Sequence, residues 1–231
     1  MFTYRLLNTF AQYKIATILI CLFFLALCSP NNWQTINTSS LPYFIGNDFD
    51  PSWEKPKDND TKYKFIPNIG SLIMSSGKPT NPAEWKGRPK LLVFFYATCK
   101  GVCPLITKNL IQFVPNLEDG VAIYSITINP KEDDVSVLNR YIKNYKIKNE
   151  NWHFITGDDS EITLFAKETC GAEVEVYSPI KDRYEFVHTE NIFLFDTDNY
   201  LRGIYRAKGD GDLNRLLNDL KKLKSETISQ I

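Results

Sequence analysis

The segment Cys99-Lys100-Gly101-Val102-Cys103-Pro104 holds the most reactive grouping in the chain. Two thiolates at this spacing can attack and resolve disulfides, or serve as soft ligands for Cu(I) or Zn(II). A small structural disulfide, or two unrelated core cysteines, is the plainer reading. The flanking sequence argues against it. Leu91-Leu92-Val93-Phe94-Phe95-Tyr96-Ala97 is a near-continuous apolar run, which predicts a strand buried on both faces. Leu105 to Val114 has apolar positions at helical spacing. Pro104 is tolerated at the first helical position but would clash inside the helix, so Cys103 is expected at or near the N-cap and Cys99 in the loop. A helix N-terminus offers unpaired N–H groups and a partial positive charge, both of which favour thiolate, and Lys100 adds to this. Structural pairs rarely occupy such a strand-to-helix turn, so a working dithiol is expected.

A third ligand is sought among two histidines. His188 follows Tyr184-Glu185-Phe186-Val187 and leads into the apolar strand Ile192-Phe193-Leu194-Phe195. Two sulfurs and one imidazole suit copper in either oxidation state, thiolates for Cu(I) and added nitrogen for Cu(II). The alternative for His188 is a satisfied polar residue at a strand end. His153 lies among core aromatics and is read as structural. Cys170, just before Gly171, is read as a buried free thiol.

The elements that must position these groups follow from the rest of the chain. Residues 1–14 carry Arg5 and Lys14 and no acid, and Ile15 to Cys28 is uncharged and apolar. That pattern predicts an export signal or membrane anchor over residues 1–33, with the domain outside the cytoplasm, on the periplasmic side. Leu25-Ala26-Leu27-Cys28 also resembles a bacterial lipobox, although Leu27 stands where a small residue is expected, so lipidation of Cys28 is the alternative anchor. Residues 34–63 lack periodicity and read as a linker or irregular packing arm. The domain proper is expected over residues 64–231. Its strands and helices alternate: a hairpin near Leu72 to Met74, the central strand, the helix opened by Pro104, and a strand from Val121 to Ile128. A helix capped by Asp134 follows, then a strand from Trp152 to Thr156 and a helix capped by Asp159 or Ser160. Short strands at Val174–Tyr177 and Tyr184–Val187, a hairpin around Asp196 to Asn199, and an amphipathic helix from Asp212 to Lys224 complete it. This order predicts an α/β, thioredoxin-like sandwich, a central mixed sheet flanked by helices. With 27 basic and 27 acidic residues and no long basic run, nucleic acid is not expected as a partner.

Thr98-Cys99-x-x-x-Cys103-Pro104, the later His188-Thr189 and the Phe195-Asp196-x-Asp198 turn resemble the Sco/SenC family over roughly residues 65–224. These are membrane-anchored, thioredoxin-like copper proteins that help metallate the CuA centre of cytochrome c oxidase. The resemblance implies that Cys99, Cys103 and His188 bind one copper ion. It also implies delivery to a respiratory oxidase subunit and a thiol-disulfide reductase partner that keeps the pair reduced. Two positions depart from the family pattern: Val187 and Asn129 stand where an aspartate is usual. Thiol-disulfide oxidoreductases of this fold normally have a cis-proline before the strand that His188 leads into, and this chain has no proline after Pro179. An extracytoplasmic thiol-disulfide reductase acting through Cys99 and Cys103 is the second reading, and a redox or copper sensor the third.

Overall fold

The computed structural model describes residues 40–57, 60–99, 101–172, 175–177, 185–187 and 190–228. The N-terminal apolar segment expected to be an anchor, like Lys100, His188 and Thr189, lies outside the described residues. Among the described residues no helix is long and apolar enough to cross a membrane.

The strands are β1 (Tyr43–Ile45), β2 (Asp50–Ser52), β3 (Leu72–Met74), β4 (Pro79–Thr80), β5 (Lys90–Phe95), β6 (Ala122–Thr127), β7 (Trp152–Thr156), β8 (Glu175–Tyr177), β9 (Glu185–Val187), β10 (Asn191–Phe195) and β11 (Leu201–Arg206). The helices are α1 (Cys103–Phe113), α2 (Val135–Tyr145), α3 (Asp159–Cys170) and α4 (Asp210–Ile228). Seven strands form one mixed sheet in the order β11-β10-β5-β6-β7-β3-β4, with β5, β6 and β7 parallel and the other pairings antiparallel. This is the thioredoxin-like α/β architecture that the alternating elements predict.

Every residue of β5 and β6 is buried. The reason is their alternation. Leu91, Val93 and Phe95 enter an apolar cluster with Ile106, Leu110 and Phe113 of α1, Leu138 and Tyr141 of α2, and Leu216, Leu220 and Leu223 of α4. Leu92 and Phe94 enter a second cluster, with Trp85 and with Ile162, Phe165 and Cys170 of α3. The parallel connections β5-α1-β6 and β6-α2-β7 require crossovers, and the apolar stripes of those helices cover the sheet. Full burial of each Leu, Val or Phe contributes about 1.5–3 kcal/mol, so β5 is firmly anchored on both faces.

Helix ends follow local chemistry, with two shifts from expectation. Asp134 caps α2 through Val137 N–H at 2.8 Å, as its position predicts. Asp158, not Asp159 or Ser160, caps α3, accepting from Ser160 N–H at 2.9 Å and Glu161 N–H at 3.0 Å. Helix α1 begins one residue earlier than expected: Val102 is the cap, Cys103 the first helical residue and Pro104 the second. Both positions leave N–H groups without helical partners, so a proline costs nothing at either.

The N-terminal end of β5 rests on a buried polar network. Lys90 has no solvent exposure, and its Nζ donates to Asp196 O at 2.5 Å and Asn199 Oδ1 at 2.6 Å. Asn199 adopts φ 72° in the β10–β11 turn, a left-handed conformation that asparagine tolerates. Arg202 pairs with Asp196 at 3.1 Å and Glu226 at 2.7 Å, and donates to the carbonyls of Leu41 and Pro42 at 2.7 and 3.0 Å. Its guanidinium lies 4.0 Å from the Tyr43 ring centroid. The described part of the stretch read as a linker or packing arm is thus seated on the domain, with β1 and β2 paired antiparallel.

Burial holds Lys90 near a pKa of about 8, below the ordinary 10.5, against the opposing pull of Asp196 and Asp198. Between those values the unfolded chain binds more protons than the folded one, so this residue's contribution to stability rises with pH across that window and is lost below it. Thermal melts at about pH 7 and pH 9.5 should show wild type gaining stability relative to Lys90→Met as pH rises. A difference that does not change with pH excludes the shifted lysine.

Candidate metal centre

The dithiol lies at the carboxyl end of β5, where open α/β sheets place their ligands. After Phe95 the chain turns, with Cys99 N–H donating to Tyr96 O at 3.3 Å. Neither Cys99 nor Cys103 forms a disulfide, and both belong to the α1-side core cluster. Cys99 is 8% exposed and Cys103 1%, so Cys99 is the sulfur nearer to solvent.

The two thiols differ electrostatically. Burial pushes Cys99 up, but it is outweighed by donors: the Cys103 backbone N–H, the Tyr96 side chain, the Cys103 thiol and the Gly101 N–H. The Gly101 bond is 3.3 Å long. Cys99 therefore falls below the ordinary thiol value. Cys103 is driven well above it, by burial first and by the nearby Cys99 and Asp133 charges, although the Tyr96 backbone N–H opposes this. A helix start was expected to favour thiolate at Cys103. Its own N–H instead serves Cys99, and burial decides the protonation of Cys103.

Behind this loop lies Asp133, fully buried. Its Oδ2 accepts from Ala97 N–H at 2.7 Å and from the Thr127 hydroxyl at 2.6 Å, while Oδ1 is buried without a hydrogen-bond partner. Burial raises its pKa, with Thr127 and Ala97 pulling the other way. Sequence reasoning passed over Asp133 because it stands in Glu132-Asp133-Asp134, where only the capping residue was sought. A buried threonine closing a mostly apolar strand was the available signal for an inward carboxylate.

The register aligns Ile192 of β10 with Val93 of β5, so β10 starts at the sheet edge where β5 ends. Ala207 N–H donates to Glu190 O at 2.8 Å, and Asn109 of α1 donates to Ala207 O at 2.9 Å, tying the lead-in of β10 to the helix that Cys103 begins. His188 lies two residues before Glu190 and outside the described residues. His153 and Cys170 belong to the other side of the sheet. His153 tilts against Tyr124 at 5.2 Å, its pKa lowered by burial and then by Arg88, and Cys170 is buried in the second cluster. The sheet separates both from the dithiol.

The family model for SCO1/SenC matches residues 61–225. The chain belongs to the SCO1/SenC family. Among curated relatives, the SCO1 protein homolog of Bacillus subtilis is 26% identical over 149 residues, covering 63% of this chain and 76% of that one. ScoI of Bradyrhizobium japonicum, solved with copper bound, superposes with a TM-score of 0.58 at 21% identity, covering 70% of this chain and 99% of that one. BsSco, described as a Sco-family cytochrome c oxidase assembly protein with a disulfide switch, superposes at 0.60 and 23% identity, over 70% of this chain and 94% of that one. At these identities the superpositions establish a shared Sco fold.

The donor set fits a soft metal ion: two cysteine sulfurs outside any disulfide, one biased toward thiolate, grouped at the carboxyl end of β5. The same asymmetry predicts ordered alkylation. Reduced protein treated with iodoacetamide at neutral pH should label at Cys99 before Cys103, read by peptide mass spectrometry. Equal or reversed labelling contradicts the assignment of the thiolate to Cys99.

Proposed function

We propose that this SCO1/SenC protein is a copper metallochaperone. In this reading Cys99, Cys103 and His188 hold one copper ion outside the cytoplasm for delivery to a CuA-type site of a respiratory oxidase. The observation that carries it is the pair of reduced, unequally buried cysteines grouped at the carboxyl end of β5. Family membership and a copper-bound relative support the cargo. The N-terminal basic and apolar run supports membrane anchoring and the extracytoplasmic side.

Cys99 is already biased toward thiolate and nearer to solvent, so it receives incoming copper first. Cys103 surrenders its proton as it becomes a ligand, because a metal takes thiolate rather than thiol. His188 supplies the nitrogen that extends the set to Cu(II). Transfer proceeds by ligand exchange, so the recipient must offer comparable soft donors. Oxidation of the two thiolates to a disulfide, with two electrons passing to an acceptor, removes both sulfur ligands, and a thiol-disulfide reductase partner restores them. Val187, where the family usually has an aspartate, leaves His188 without that acidic neighbour, and outer-shell groups tune ligand orientation and affinity.

One observation also favours the second reading, an extracytoplasmic thiol-disulfide reductase. A lowered Cys99 beside a raised Cys103 is the division between an attacking and a resolving thiol. His188 separates the two. Reduced full-length protein with one equivalent of Cu(II) should give a 1:1 complex with a thiolate-to-copper charge-transfer band and a matching EPR signal. Cys99→Ser, Cys103→Ser and His188→Ala should each lose both signals, while His188→Ala retains dithiol exchange. A wild type that forms no stable complex, or binding indifferent to His188, overturns the metallochaperone reading.

A further inference from the structure

Three acidic residues follow β6, and only one turns inward. Asp134 caps α2, and Glu132 is exposed. Asp133 is fully buried, and its Oδ1 has no hydrogen-bond partner. Burying a carboxylate so incompletely satisfied is unfavourable, and capping does not require it, since Asp134 caps the helix.

What Asp133 alone does is join three chain segments. The ladder between β5 and β6 ends with Ile128 N–H donating to Phe95 O at 2.8 Å. Two residues later Ala97 N–H has passed beyond the strand, and the Asp133 carboxylate takes it at 2.7 Å. The same oxygen holds the Thr127 hydroxyl at the end of β6. Asp133 N–H in turn donates to Asn129 O at 2.9 Å, and Asn129 N–H donates to Thr127 Oγ1 at 3.0 Å, which closes the turn around the carboxylate. A side chain thus stands in for the missing strand partner, at the residue two before Cys99 and next to Tyr96, whose backbone and side chain serve both sulfurs.

We propose that Asp133 is a positioning residue for the dithiol: by clamping Ala97 N–H to the end of β6, its carboxylate sets where Cys99 stands relative to Cys103. The clamp acts by geometry and needs one oxygen that accepts twice. An asparagine supplies that oxygen and turns its amide toward the position where Oδ1 has no partner. The proposal deepens the copper reading and rests on it for the metal, but the pair's redox equilibrium tests it without copper.

The experiment uses the full-length protein with Asp133→Asn, Asp133→Ala and Thr127→Val. The dithiol is equilibrated against glutathione: protein dithiol plus glutathione disulfide gives protein disulfide plus two glutathione thiols. The Cu(II) charge-transfer band is recorded alongside. Asp133→Asn should keep the exchange constant within about threefold of wild type, while Asp133→Ala should shift it by about tenfold or more, equivalent to about 30 mV, and displace the copper band. Equal shifts in Asn and Ala would assign the effect to charge and overturn the clamp, as would no shift in either. If the alanine variant does not fold, Thr127→Val removes one of the two bonds, and an unchanged exchange constant in it overturns the proposal. If wild type binds no Cu(II), the copper reading fails, and the exchange constants still decide the role of Asp133.

Discussion

Burial of β5 on both faces is the constraint from which the rest of the structure follows. A strand packed on one side only can slide or tilt to accommodate its neighbours. One whose alternate side chains enter two separate clusters can do neither without opening a cavity. Its carboxyl end is therefore a fixed point. The sheet also explains why a reactive loop is tolerated there. The loop leaves the ladder where backbone pairing stops, so its N–H groups are available to sulfur and to Asp133 rather than to another strand.

The contrast between Cys99 and Cys103 arises from a small difference in position. Cys103 is drawn into the core with the first turn of α1, and loss of solvent penalises its anion. Cys99 stays within reach of the N–H groups and of Tyr96. Such an arrangement stores one negative charge at low cost and makes a second expensive until a cation or an oxidant compensates it. Metal capture and disulfide chemistry thus draw on one electrostatic design. The choice between them falls to residues outside the pair, which is where His188 enters.

The fold was legible because its signals are periodic. The apolar runs of β5 and β6, the helical spacing after Pro104 and the Asp134 cap are each local. The dithiol was legible for the same reason, since two cysteines before a proline are adjacent in sequence. What escaped notice depends on contacts between distant segments. Asp133 and Ala97 are 36 positions apart, and nothing near either residue announces the bond. The start of α1 was misjudged by one residue because proline is equally at ease at the first two positions. The raised Cys103 was missed because a helix N-terminus says nothing about how deeply its first residue is buried. Residues 40–63 looked irregular because what seats their described part on the domain is Arg202, some 160 positions away.

That grip on the arm has a mechanical side. Leu41 and Pro42 are held by Arg202, which lies beside the β10–β11 turn, at the Lys90 end of β5. Cys99 follows the other end of that strand, about 20 Å away at 3.3 Å per residue. A pull on the chain ahead of Leu41 is borne first by Arg202 and Glu226, which bond to its backbone and to each other. The dithiol loop stands at the opposite end of β5 from this grip, so such a load enters the domain far from the sulfurs.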